Sequence, residues 1–122
     1  MAKRAVRRKS ATSPRLKSAK RNSRPRKDAV TLIVQLRPRE GQEILLEAEL
    51  RALVGPTRKE DGCLTYDLFR STEPPAAFLL HEVWASREDH ARHTKTPHFV
   101  RWNARKDALL ASRDATFWKQ VV

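Results

Sequence analysis

An α+β fold, one antiparallel sheet with helices on a single face, is what this 122-residue sequence predicts. Three observations carry that expectation. Four segments are rich in apolar and β-branched residues at strand length, and helical periodicity fills the two longer intervals between them. The middle two segments are separated only by a short Pro-containing loop, so they form an antiparallel hairpin. The order is β-α-β-β-α-β.

The first strand spans residues 30–36. Its alternation places Val30, Leu32, Val34 and Leu36 on one face and Thr31, Ile33 and Gln35 on the other. Arg37-Pro38-Arg39-Glu40-Gly41 interrupts it. A helix is expected over about 42–54, with Leu46, Leu50, Leu53 and Val54 on one apolar stripe and Glu47 and Arg51 paired at i,i+4. Gly55-Pro56 is expected to kink or end it, with room for one further turn over 57–60 before the Asp61-Gly62 turn. Residues 63–70 and 78–84 are the hairpin strands, joined by a loop containing Pro74 and Pro75. Ser86, with Asp89 three residues on, reads as an N-cap for a helix reaching about His93. Thr96-Pro97 reads as a cap followed by Pro at the first helical position, opening a stretch to about Leu110. Residues 115–122 are read as the closing strand.

This arrangement is the ferredoxin-like split βαβ unit. Helices cover only one of its faces, so the other, with Ile33 and His81, needs an apolar partner. A second copy of the same sheet is the simplest one, giving a homodimer shaped as a dimeric α+β barrel.

Charge divides the chain in two. Residues 1–27 hold twelve Lys and Arg and no acid, whereas residues 28–122 hold fourteen of each sign, so the net +12 belongs to the first segment alone. That segment has too few apolar side chains to offset chain entropy and is expected to be a disordered basic tail. With no aromatic for base stacking, its expected partner is at most nucleic acid, bound nonspecifically and in a salt-dependent way. The body, residues 28–122, is one neutral domain. No apolar run reaches membrane-spanning length and no secretory signal is present, so a cytoplasmic protein without membrane insertion is expected. The single cysteine, Cys63, excludes an intramolecular disulfide. The four histidines, His81, His90, His93 and His98, have no carboxylate or cysteine at ligand spacing, so no metal site is expected. His90 and His98 are read as solvated.

The chemistry is concentrated between residues 78 and 99. Glu82 and Trp84 share one face of their strand, and His93 lies two turns into the helix that folds back over it. An imidazole titrates near neutral pH and can move a proton, and an indole offers a flat wall and one N–H donor. Tyr66 adds a phenolic hydroxyl from the adjacent strand, and Phe99 is placed to close the rim. Trp84 and His93 are expected to look into a shared enclosed space between helices and sheet.

The opening strand, Pro56-Thr57-Arg58 ahead of Gly62-Cys63-Leu64-Thr65-Tyr66, then Glu82-Val83-Trp84, then His93 followed by Thr96-Pro97-His98-Phe99, occur in order at ordinary spacing. In these pieces the body, about residues 29–122, resembles the antibiotic biosynthesis monooxygenase family. The resemblance implies a dimeric ferredoxin-like protein that oxidises a small phenolic, anthrone or quinol-type substrate with dioxygen and without a cofactor. It implies His93 and Trp84 as catalytic residues and Tyr66, Phe99 and Glu82 as substrate-binding ones. Haem-degrading proteins on the same scaffold use an Asn on the first strand, which this chain lacks. Two other readings stay open: a non-catalytic small-ligand-binding dimer tethered to nucleic acid by the tail, or an isomerase of a small phosphorylated carbonyl compound with Arg58 or Arg92 as phosphate ligands.

Overall fold

The computed structural model describes residues 27–122, so the expected basic tail lies, except for Lys27, outside the described residues. Seven elements follow in order: β1 (Val30–Pro38), α1 (Glu43–Arg58), β2 (Cys63–Arg70), β3 (Phe78–Trp84), α2 (Arg87–His93), α3 (Pro97–Leu109) and β4 (Leu110–Trp118). The strands form one antiparallel sheet in the order β2-β3-β1-β4, the ferredoxin-like arrangement. No helix among the described residues is long and apolar enough to cross a membrane.

Alternation decides which face meets the helices. Leu32, Val34 and Leu36 of β1 are buried, as are Phe78, Leu80, Glu82 and Trp84 of β3, and they pack with Leu46, Leu50 and Leu53 of α1 and Trp102 of α3. The opposite face carries Ile33, Leu79, His81, Val83, Phe69 and Trp118 at alternating register positions. Phe69 and Trp118 remain 54% and 59% exposed there.

Two boundaries differ from expectation. Helix α1 continues through Gly55 and Pro56 to Arg58. Proline costs a helix most in its interior, whereas here it falls in the last turn, and the buried Leu53 and Thr57 on either side keep that turn on the core. The second crossover contains two separate helices, as expected, with Thr94–Thr96 turning the chain before Thr96 caps α3 through the Phe99 amide. Strand β4 begins at Leu110, five residues before the expected start, and ends at Trp118. Residues 110–114 carry no apolar alternation because β4 beyond Leu110 is exposed on both faces; pairing with β1 alone makes it a strand. The Ser86 cap forms as expected, its hydroxyl accepting from the Asp89 amide at 3.1 Å and donating to the Asp89 carboxylate at 2.8 Å.

Candidate active site

His93 is the last residue of α2, and its side chain is only 1% exposed. Five rings surround it: Trp84 at 4.8 Å between centroids, Phe99 at 5.0 Å, Tyr66 at 5.8 Å, His98 at 5.9 Å and His90 at 6.0 Å. The sheet supplies Tyr66 and Trp84, which share its helix-facing side: Tyr66 pairs with Glu82, and Trp84 pairs with Cys63 across a bulge. Helix α2 supplies His90 and His93, and the first turn of α3 supplies His98 and Phe99.

The five residues singled out from sequence are therefore on one side of the sheet and within one cluster. Two details differ from expectation. Trp84 and His93 do not face each other across a space; the rings are in contact, since large flat side chains remove most apolar surface from water by collapsing onto one another. The indole N–H is also committed within the protein, donating to Glu82 Oε1 at 2.9 Å. Two open concavities of the surface lie elsewhere: one of about 480 Å³ between α1 and β2, rimmed by Arg51, Arg58 and Arg70, and another beside Phe69 and Pro74-Pro75. The helix-facing side of β4 is left uncovered. Phe117, Ala115 and Arg113 pair with the buried Leu32, Val34 and Leu36 and so face the helix side, yet all three are exposed. Phe117 lies under Arg87, 3.8 Å from guanidinium carbon to ring centroid, and 5.4 Å from the His90 ring.

His90 and His98 are not solvated as expected. His98 Nε2 lies 2.6 Å from Glu60 Oε2, and His93 Nδ1 lies 2.7 Å from the same oxygen. This also overturns the premise that no carboxylate stands near the histidines: Glu60 arrives from the turn after α1, 33 and 38 residues away in sequence. The three groups could in principle hold a metal ion. The two Glu60–histidine separations are those of hydrogen bonds, shorter than the roughly 3.3 Å between neighbouring ligands held tetrahedrally 2.0–2.1 Å from a shared ion. Glu60 and His98 were missed because nothing local links an acid before an Asp-Gly turn to a histidine two elements later.

Burial sets the electrostatics. Desolvation raises the Glu82 carboxyl above its ordinary pKa, against the opposing pull of the Trp84 N–H, His93 and Arg113. It likewise raises the Tyr66 phenol, helped by the Glu82 charge, so Tyr66 stays a protonated donor at neutral pH. The Thr57 hydroxyl interacts with that phenol and works against the shift, but Thr57 Oγ1 has no well-aligned hydrogen-bond partner among the described residues. His90 is lowered, first by burial and then by the nearby His93, Arg87 and Arg113.

Glu82 makes a pH prediction. A carboxyl with a raised pKa in the fold keeps its proton longer there than in the unfolded chain, so stability falls as pH rises from the ordinary carboxylate range through the raised value. Glu82→Gln keeps an acceptor for the Trp84 N–H and removes that loss. Thermal melts should show the variant above the parent at neutral pH and level with it in acid; an equal difference at both would contradict the shift.

Fold and cluster together define a small α+β protein with a buried histidine enclosed by aromatic side chains on the helix side of its sheet. The antibiotic biosynthesis monooxygenase family model matches residues 29–105, and the chain belongs to that family. It is 36% identical over 81 residues to "Putative monooxygenase Rv0793" of Mycobacterium tuberculosis, covering 66% of this chain and 79% of that protein. It is 30% identical over 79 residues to "Putative monooxygenase YcnE" of Bacillus subtilis, covering 65% and 81%. Among solved structures, PA3566 from Pseudomonas aeruginosa superposes with a TM-score of 0.75 at 35% identity, covering 78% of this chain and 96% of that one. The structure of Rv0793 gives 0.74 at 31%, covering 78% and 97%. Family and relatives support a monooxygenase-like function.

Proposed function

We propose that this chain is a cofactor-independent monooxygenase that oxidises a small phenolic, anthrone or quinol-type substrate with dioxygen, working as a homodimer. The observation that carries the reading is a nearly sealed imidazole, His93, in contact with Trp84, Tyr66 and Phe99 on this family's scaffold. Such a substrate becomes electron-rich enough to reduce dioxygen once it loses a proton, so the protein must supply a base, a dry site and a donor for the developing negative oxygen. His93 is the base. The Tyr66 phenol, held protonated by burial, is the candidate donor. Trp84 contributes its ring face, since its N–H is given to Glu82, and Glu82 thereby fixes the indole. Phe99 closes the α3 side, and substrate enters along the uncovered helix-facing side of β4.

The isomerase reading lacks its phosphate ligands. Arg58 donates to the Tyr66 carbonyl at 2.9 Å and to Asp67 at 2.8 Å, and Arg92 pairs with Asp89. Neither guanidinium is hydrogen-bonded to a side chain of the His93 cluster. Oxygen uptake by the purified protein against a panel of hydroquinones and anthrones tests the monooxygenase reading. Turnover with at least one supports it; none with any member, with the protein folded, removes it.

The homodimer rests on the apolar side of the sheet away from the helices. Val83→Glu places a charge on that face, so light scattering should show a dimer for the parent and a monomer for the variant. A monomeric parent would defeat the dimer.

A further inference from the structure

Glu60 holds two ring nitrogens at once, and the protons on those nitrogens follow from their neighbours. The Thr96 hydroxyl gives its one proton to the His93 carbonyl oxygen at 2.8 Å. It can therefore only accept from His98 Nε2, which lies 3.2 Å away. The other neighbour of that nitrogen is Glu60 Oε2 at 2.6 Å, so His98 Nε2 carries a hydrogen and the carboxylate oxygen accepts it. As a carboxylate that same oxygen can only accept, and it meets His93 Nδ1 at 2.7 Å, so Nδ1 of His93 is the donor. In neutral His93, Nε2 is then the bare acceptor, and it has no hydrogen-bond partner among the described residues. Glu60 cannot drift from this position. Its amide donates to the Thr57 carbonyl at 3.0 Å and its carbonyl accepts from the Cys63 amide at 3.2 Å, tying the turn to α1 and β2.

We infer that Glu60 is a positioning residue that locks His93 in the Nδ1–H tautomer and so presents Nε2 as the proton acceptor, with His98 holding the carboxylate in place. The inference rests on the reading of His93 as the base. An imidazole in water prefers the opposite tautomer, with the proton on Nε2, which has no lone pair to offer a substrate proton. The hydrogen bond made by one ring nitrogen decides the state of the other.

Long-range proton–nitrogen correlation spectra of the full chain labelled with ¹⁵N-histidine read the tautomer directly, near neutral pH and with no substrate. The parent should show His93 with a protonated Nδ1 and an unprotonated Nε2. Glu60→Gln, which keeps an acceptor oxygen, should preserve that pattern, and Glu60→Ala should move the proton to Nε2. With an active substrate, Glu60→Ala should lower kcat at least about tenfold with KM little changed, and Glu60→Gln should recover most of the rate. A parent spectrum showing Nε2–H overturns the inference without any variant. So does an unchanged tautomer in a folded Glu60→Ala protein. Failure of the function reading shows itself separately, as an absence of turnover in the parent or full turnover without the His93 imidazole, and leaves the spectra to decide on Glu60.

Discussion

Replacing His93 with asparagine is expected to cut oxygen-consuming turnover by roughly 100- to 10,000-fold, the range associated with loss of a positioned general base. Asparagine is the informative choice. Its side-chain amide nitrogen occupies nearly the place of Nδ1 and can still donate to Glu60 Oε2, which His93 reaches at 2.7 Å. What it lacks is any counterpart to Nε2. Alanine would confound the result: it would open a cavity among five rings and strip a donor from a part-buried carboxylate, at a cost of about 2–5 kcal/mol. Oxygen-electrode rates for the asparagine variant, beside a melt close to the parent's, separate chemistry from folding. A folded variant within twofold of the parent rate would mean that His93 is packing and that another group takes the proton.

Gly62→Ala should be the most destabilising single-methyl change in the molecule, costing about 3 kcal/mol or more, while Gly41→Ala should cost only about 1 kcal/mol. Both glycines have positive φ, +81° and +85°, so both substitutions carry the same backbone strain. Their surroundings differ. A Cβ on Gly41 meets nothing within 4 Å, but one on Gly62 falls 2.3 Å from Asp89 Cγ and 2.7 Å from Asp89 Cβ. Rotating the Asp89 side chain cannot relieve contact with its own Cβ, so α2 itself must shift. Asp89 is bonded to Ser86 at the start of α2, and the Gly62 carbonyl accepts from the Ala85 amide at 2.8 Å. The close approach thus welds the turn bearing Glu60 to the helix bearing His93. For a body of this size, melting should fall by about 4–8 °C per kcal/mol, so the two variants should separate clearly in one thermal scan. Equal losses would show that the backbone conformation alone requires the glycine at position 62.

Much of the fold was legible because its signals are local. The alternation in β1, the stripe of Leu46, Leu50 and Leu53, the Ser86 and Thr96 caps and the Asp61-Gly62 turn each lie within a few residues, and each appears where it was expected. β4 was misplaced by five residues because its early part is exposed on both faces and pairs with only one strand, which leaves no hydrophobic pattern to read. α1 was ended too soon because Gly55-Pro56 is a local stop signal, and burial of Leu53 and Thr57 outweighs it.

By itself the sequence determined the order of strands and helices and placed Glu82, Trp84 and His93 on the helix side of one sheet, since periodicities of two and of about 3.6 residues fix where side chains point. Tertiary structure alone decided how those side chains meet. It brought Trp84 against His93 instead of across a void, gave the indole proton to Glu82, and joined Glu60 to His93 and His98. The physical reason is distance along the chain: a contact between residues 33 or 38 positions apart depends on where two elements dock, and no short stretch of sequence encodes that docking.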